Sequence, residues 1–431
     1  MLIRDPQLRQ VHWALASWTD GRDDPAGLAG LTLATLRASL LGTWATGSKD
    51  PAAERAALDA LDEAWQARMA APGDAAVNRT LLQRDRAAAA LCDPRAFGRV
   101  LAALPAHRPE IVERDGVGVF ALTTVEPALP QVAKLVFERR EQQALRGLAR
   151  TWLPTVMARA EEHAARPERR VHAELLALTA PTSPTIALLE QPQLTAPRRA
   201  HALAAWSASQ HPTRTVHLLY GGFDPAALQA TLEAVFSSTS LPTPPAQPAQ
   251  PAKPLTAQRR SVVPGAAPNS VSLAWVVPPG LKRWHVEIAA RWLTTGRYAK
   301  LRQLLRKQYP DVELSSTAPW PNGGAPALLR IDARAPGGSD GLAGAVVKAC
   351  RDAAVQDLKE GMYYEANSSA ISDWHTVTAD TREFAVRLAE RALIDPAAKI
   401  ATSSPRRVSG KDIRRALQAV FAGQPAIVEG K

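Results

Sequence analysis

The chain is poor in sulfur and in single-ring aromatics: its 431 residues include two cysteines, four methionines, five tyrosines and seven phenylalanines. Cys92 and Cys350 stand far apart and neither has a C-x-x-C partner, which argues against a disulfide framework and against a cysteine zinc site. No apolar run approaches the roughly 18 residues that a bilayer-spanning helix needs. The opening MLIRDPQLRQVHWALASW lacks a basic region followed by an unbroken apolar segment, so no secretory signal is read there. The expectation is a soluble protein with no membrane association, cytoplasmic, or periplasmic if a leader has been removed. Also missing are a G-x-S-x-G elbow, a G-x-x-x-x-G-K-[ST] phosphate loop and a G-x-G-x-x-G after a strand. The Gly-Gly pairs beginning at Gly221, Gly323 and Gly337 read as turns. The histidines, among them His163, His201, His217, His285 and His375, are scattered singly. His172 and Glu174 lie two apart on a helical pattern and so point away from each other. None of this makes a metal spacing.

What is present is length and positive charge. A prior of about 150 residues per domain suggests two or three domains. Hydrophobic content of 46% with 22% charged residues fits a globular chain. The formal charge of +11 is uneven. Residues 1–258 carry 27 basic and 25 acidic side chains, an excess of +2; residues 259–431 carry 25 and 16, an excess of +9. A basic half suits nucleic acid, an acidic peptide or an acidic partner. With 5% aromatics and no recognisable binding motif, the nucleic-acid reading is the weakest.

The Pro-rich stretch LPTPPAQPAQPAKPLTAQ, Leu241 to Gln258, lacks helix or strand periodicity and reads as an extended linker. It separates an N-terminal domain, 1–240, from a C-terminal one, 259–431. Before the linker, a strand from Thr215 to Tyr220, a Gly-Gly turn, an Asp224 cap, Pro225 at the first helical turn and a helix ending near Phe236 form a strand-turn-helix unit. After it come a strand from Ser270 to Val277, a helix from about Trp284 through Leu305, and a strand in ALLRIDARA. Helices are read over Leu342 to Lys359 and Thr381 to Ile394. Ser409 caps a short helix followed by a last strand. Ala52 to about Pro109 is rich in Ala, Asp and Arg and reads as a helical insertion, and a strand follows Asp115.

Gly30 to Thr43 reads GLTLATLRASLLGT. With Trp13 and SWTDGRDDPAGLAGL before it, this phrase resembles the opening of pitrilysin/insulinase-type metallopeptidases, where a strand leads through an acidic turn to a G-L-A-H-x-x-E-H-x-L-x-x-G-T helix. The phrase GGFDP before a helix and a Pro-rich linker, and the close VSGKDIRRALQAV, resemble the same family. In an H-x-x-E-H helix the two imidazoles share one face one turn apart, and the Glu acts as general base. Here those positions hold Leu33, Leu36 and Arg37. Two leucines bind no metal and an arginine repels one. The plain alternative is an amphipathic helix burying Leu31, Leu33, Leu36, Leu40 and Leu41.

The resemblance implies an α+β fold of two similar domains, each a mixed or antiparallel sheet with helices packed on one face, forming half of a clamshell. It places Glu174, in ERRVHAELLAL, where active relatives carry a third zinc ligand, with nothing here for it to complete. In LRQLLRKQYPDVEL it places Arg306 on a substrate-clamping arginine and Glu313 on a tyrosine that an ionised carboxylate cannot replace as a donor. Arg302 is a neighbouring candidate contact, and a solvated helix face is the alternative for both arginines. The function implied is that of a non-catalytic subunit binding no cofactor itself. It completes the chamber and binds peptide, with a basic domain favouring acidic ones, while a partner H-x-x-E-H subunit carries the zinc. The competing reading is a scaffold protein with a peptidase-like fold, as in the core subunits of respiratory complexes.

Overall fold

The computed structural model describes residues 1–430 except 108, 115, 184, 190–195, 237–252, 319–325 and 395–406. Most of the Pro-rich stretch read as a linker lies outside the described residues. In chain order the first half contains β1 Leu2–Arg4, β2 Val11–Trp18, α1 Leu31–Ala38, α2 Pro51–Ala70, α3 Ala75–Ala90, α4 Ala96–Ala102, β3 Glu110–Arg114, β4 Val117–Thr124 and α5 Leu129–Glu141. It continues with α6 Leu148–Ala165, α7 Pro167–Thr179, α8 Thr185–Leu189, α9 Arg199–Ser209, β5 Thr215–Gly221 and α10 Pro225–Phe236. The second half contains β6 Arg259–Val263, β7 Ser270–Val276, α11 Arg283–Thr294, α12 Lys300–Leu305, β8 Glu313–Thr317 and β9 Leu328–Arg334. Then follow α13 Leu342–Val355, α14 Glu360–Ala379, α15 Thr381–Ile394, α16 Gly410–Phe421 and β10 Ala426–Gly430. Among the described residues no helix is long and apolar enough to cross a membrane.

The two sheets repeat one topology. The first runs β1-β5-β2-β4-β3 and the second β6-β10-β7-β9-β8, the same order when each set is counted from its own first strand. In each, the first strand is parallel to the last and the remaining neighbours are antiparallel. This is the expected α+β architecture with mixed sheets. Local capping follows the sequence: Asp224 accepts from the Ala226 and Ala227 amides at 2.9 and 3.4 Å, and Ser409 accepts from the Asp412 amide at 3.2 Å. The stretch from Ala52 that reads as an insertion is helical as expected, forming α2 to α4. The single helix expected from Trp284 to Leu305 is two, α11 and α12, broken where Thr294 and Thr295 precede Gly296, a run of poor helix formers. The helix expected to reach Lys359 ends at Val355.

The chain packs into two compact units that are discontinuous in sequence. The first comprises Met1–Ala160, Pro192–Gln247 and Asp380–Ile400; the second comprises Glu161–Gln191, Pro248–Ala379 and Ala401–Lys431. In the first unit, Trp13, Leu15, Phe120, Leu122 and Leu219 pack with α5 and α10 on one face of the sheet. All eight residues of β2 are buried, so its other face is covered as well. That cover is α15, drawn from the second half of the sequence, which packs on β2, β4 and β5. Phe384 of α15 meets the Tyr220 ring edge-on at 5.3 Å. Arg114 of β3 binds Glu383 at 2.7 Å and Arg382 binds Glu110 at 3.0 Å.

The second unit mirrors this arrangement. Leu273, Trp275, Leu329 and Ile331 face α11, α13 and α16 on one side of its sheet. Ala274, Val276, Ala426 and Val428 on the other side pack against Val171, Leu175 and Leu176 of α7, drawn from the first half of the sequence.

His12 joins sheet to helix in the first unit. It is 4% exposed and its two ring nitrogens sit 2.9 Å from the Thr123 hydroxyl and 2.8 Å from the Thr381 hydroxyl. Burial, then the nearby Arg382, lowers its pKa to about 4, with Asp380 opposing and His107 reinforcing the effect. Burial against Trp13 and Phe236, then the nearby Arg140, lowers the pKa of the half-buried His217 to about 3. Both are neutral in the folded state, whereas the unfolded chain protonates them near pH 6.5. Their contribution is therefore full above about pH 6.5 and is lost as the pH falls toward 4. Thermal unfolding measured from pH 7.5 to 4 is expected to show a falling Tm, less steep for His12→Gln, which keeps a polar partner for the threonines and removes the titration.

Candidate functional site

The helix that carries the zinc-peptidase resemblance is built as a packing element. Its first turn is prepared by the acidic loop: Asp24 accepts from the Gly30 amide at 2.6 Å, the Thr32 amide at 2.7 Å and the Thr32 hydroxyl at 2.6 Å. Burial pushes the Asp24 carboxyl up from its ordinary value, and these bonds offset part of that rise. Gly30 sits before the first helical residue at φ +92°, a left-handed conformation where a side chain would be strained. Leu31, Ala34 and Ala38 pack against Leu148, Trp152 and Val156 of α6 and Ala202 and Ala205 of α9.

The three positions of the metal motif divide between core and rim. Leu33 is 5% and Leu36 1% exposed. Leu36 lies over Gly118 of β4 so closely that a Cβ there would stand 2.5 Å from its Cδ2. Arg37 emerges at the edge, donating to the Thr155 hydroxyl of α6 at 3.0 Å, with Glu113 of β3 at 3.6 Å. Zinc takes imidazole, thiolate or carboxylate donors. Two methyl-capped side chains and a guanidinium supply none, so these residues do not fit the metal. The amphipathic-helix alternative describes Leu31, Leu33 and Leu36 correctly, while Leu40 and Leu41 are only half-buried.

The remaining predicted residues lie in the second unit. Glu174 is half-buried on α7, between Val171 and Leu175, which pack against that unit's sheet. Arg302 and Arg306 are exposed at α12, one within the helix and the other capping its C-terminal end. Glu313 begins β8, 3.5 Å from Arg334. The side chains that meet α1 come instead from α6, α9, β3 and β4 of its own unit. Among the described residues no group of three or more His, Cys, Asp or Glu is arranged to hold a metal ion.

A cavity of about 650 Å³ in the first unit was not foreseen from the sequence. Its wall draws on α2 of the insertion, the segment around the end of α5, and α9, with Trp44, Leu203 and Trp206 as its apolar surfaces. No local motif could have revealed it, because its residues come from three stretches more than 50 positions apart. The insertion is anchored nearby by a buried ion pair: Arg146 binds Glu54 at 2.5 and 3.0 Å and also donates to the carbonyls of Leu41, Thr43 and Thr46. Behind Trp206 lies Arg139, fully buried, with its guanidinium 4.2 Å from the Phe120 ring centre and 5.0 Å from that of Trp206. Its Nε and Nη2 have no hydrogen-bond partner among the described residues. Burial lowers its pKa to about 9.

Comparison with protein-family models and with curated proteins finds no match. Solved structures match over the full length. The peptidase M16 inactive domain from Pseudomonas fluorescens superposes with a TM-score of 0.66 at 13% identity, covering 100% of this chain and 95% of that one. A protease from Helicobacter pylori gives 0.64 at 12%, covering 99% and 95%. A chain of Complex III2 from Candida albicans gives 0.62 at 12%, covering 100% and 93%. At these identities the likeness is one of fold: the chain has the two-unit α+β fold of M16-like peptidases.

Three variants test the packing described here. Leu36→Glu places a carboxylate against Gly118 in the core and is expected to cost about 3–5 kcal/mol of stability, as an uncompensated buried charge does. The triple variant Leu33→His, Leu36→Glu, Arg37→His is accordingly expected to bind no stoichiometric zinc by metal analysis; one equivalent per chain would contradict the packing account. For Arg139, cation–π contacts offset about 2 kcal/mol, less than the several kcal/mol that desolvating a charge costs. Arg139→Met is therefore expected to raise stability by about 1–2 kcal/mol in chemical denaturation.

Proposed function

We propose that this chain is a non-catalytic subunit of a heteromeric zinc metallopeptidase, binding peptide while a partner subunit with an H-x-x-E-H helix supplies the metal. The observation that carries this reading is the state of α1. It keeps the framing glycines and the acidic capping turn of a zinc-peptidase helix, yet its three motif positions are given to core packing and to an arginine tied to Thr155. Fold likeness to a structure described as a peptidase M16 inactive domain supports the same reading. Such division of labour is physically sound, because catalysis draws on positioning groups as much as on the metal. The exposed Arg302 and Arg306 of the basic second unit are the residues assigned to peptide contact. Their guanidinium groups can donate paired hydrogen bonds to carbonyl or carboxylate oxygens.

A second reading, a scaffold that retains the fold without a proteolytic role, is favoured by the comparable fold likeness to a chain of Complex III2. One experiment separates the two. The chain is co-expressed with a candidate H-x-x-E-H subunit, beginning with any encoded beside it, and assembly, zinc content and peptide cleavage are measured for each chain and for the mixture. The expected result is cleavage only by the complex, with one zinc per pair, loss of acidic-peptide affinity as salt rises, and a roughly tenfold weaker peptide affinity for Arg306→Ala. A chain that ignores every such partner and stays inactive would favour the scaffold.

A further inference from the structure

Unmatched positive charge gathers in the second unit between α11 and β8. Residues 288–310 hold no Asp or Glu, and the stretch from Arg297 to Lys307 includes five cations: Arg297, Lys300, Arg302, Arg306 and Lys307. None of these five side chains makes an ion pair or hydrogen bond among the described residues. Other arginines of the unit are matched: Arg283, Arg291, Arg330, Arg334 and Arg414 each pair with a carboxylate. Of the acids that border the stretch, Glu365 of α14 accepts from the Arg297 amide at 3.1 Å, Glu313 lies 3.5 Å from Arg334, and Asp311 is exposed. With Arg334 included, six cations stand against three carboxylates, an excess of +3.

The helix α12 sets these groups outward. Leu301 and Leu305 are buried in the core, while Arg302, Gln303, Leu304, Arg306, Lys307 and Gln308 are all exposed. Arg306 keeps helical geometry at the C-terminal cap, so it stands one turn from Arg302, about 5–6 Å away between Cβ atoms. Alternate side chains of an extended polypeptide are spaced similarly, at roughly 6.5 Å. Burial lowers the pKa of the Lys300 ammonium, a charge drawn partly out of water that gains from an arriving anion. The surface narrows the kind of anion. A bilayer takes up an amphipathic helix by its apolar face, and here that face, Leu301 and Leu305, is spent on the core. Single-stranded nucleic acid binds on stacking aromatic rings. Tyr298, 46% exposed, is the one exposed ring of the stretch, and the Arg297 guanidinium lies 5.8 Å from its centre. An acidic polypeptide needs neither feature. Its carboxylates take paired donors from guanidinium groups, and its amides meet Gln303 and Gln308, neutral groups that both donate and accept.

We propose that this surface docks an acidic polypeptide segment whose carboxylates alternate along an extended chain, with Arg297, Lys300 and Lys307 setting the preference for acidic sequence beside Arg302 and Arg306. The inference deepens the peptide-binding reading above and rests on it for the last two arginines. It assigns to one turn and one short helix a preference which that reading gives to the second unit as a whole. Its test needs neither zinc nor a partner.

The test is fluorescence anisotropy of the full chain with a labelled short peptide of alternating glutamate and serine, its glutamine counterpart, an oligothymidylate of equal charge, and phosphatidylglycerol vesicles. The glutamate peptide is expected to bind, and the glutamine peptide at least about tenfold more weakly. Lys307→Gln is expected to weaken the glutamate peptide about threefold, and Arg297→Gln combined with it about tenfold, with Tm unchanged because both side chains are exposed and unpaired. Lys411→Gln removes the same charge from an exposed position at the start of α16 and is expected to leave affinity unaltered. Equal binding of the two peptides, tighter binding of the oligonucleotide or the vesicles, no binding of the glutamate peptide, or an equal loss in Lys411→Gln and Lys307→Gln would each overturn the proposal. A chain that binds the acidic peptide yet assembles with no zinc-bearing partner would sink the subunit reading alone. A cleaving complex whose isolated chain shows no acidic preference would sink this inference alone.

Discussion

The constraint on which the rest of the structure depends is that each sheet is apolar on both faces while its own half of the sequence covers only one. A strand such as β2, buried at every position, cannot leave a face in water without forfeiting roughly 25 cal/mol for each Å² of apolar surface exposed. The missing cover is a single helix in each unit, α15 on the first sheet and α7 on the second, and each comes from the opposite half of the chain. The identical strand order of the two sheets makes this exchange reciprocal. Each unit's core is completed only when both halves of the sequence have been made.

Within the first unit the same demand for packing governs α1. A metal helix must present ligands to an open space, since a catalytic metal keeps a free coordination position. Here the face that would carry them is pressed onto Gly118, and the one charged residue is drawn to the edge by Thr155 and Glu113. The acidic turn is kept for a purely structural reason, because Asp24 satisfies amide groups at the start of the helix that would otherwise lack partners. The glycine before the helix and the acidic cap are thus explained by the needs of the fold alone.

The helical segment α2 to α4 adds a surface of its own. Its attachment runs through Arg146, which binds a buried carboxylate and three carbonyls at once. The charge is costly to bury and is fully matched, which fixes α2 against the loop after α1. The cavity beside α9 has a mixed wall, with Trp44, Leu203 and Trp206 set among charged and amide side chains.

Much of the local structure is legible in the sequence, because capping and periodicity are short-range. Asp224, Ser409 and the spacing over Thr381 to Ile394 mark their helices without help from the rest of the chain. That Leu33, Leu36 and Arg37 offer no zinc donor is likewise a matter of side-chain chemistry at three positions. What only the tertiary structure decided is long-range. Nothing in the pattern of α7 or α15 says which sheet its apolar face will cover, since an amphipathic stripe specifies that it must be buried and not against what. Nor does the sequence show that Arg55, Arg140 and Arg199 line one cavity until α2, α9 and the end of α5 converge. Sequence determined the elements and the side chains that stand at Leu33, Leu36 and Arg37; the tertiary structure decided the pairing of apolar faces, because that depends on a global balance of buried surface that no local segment contains.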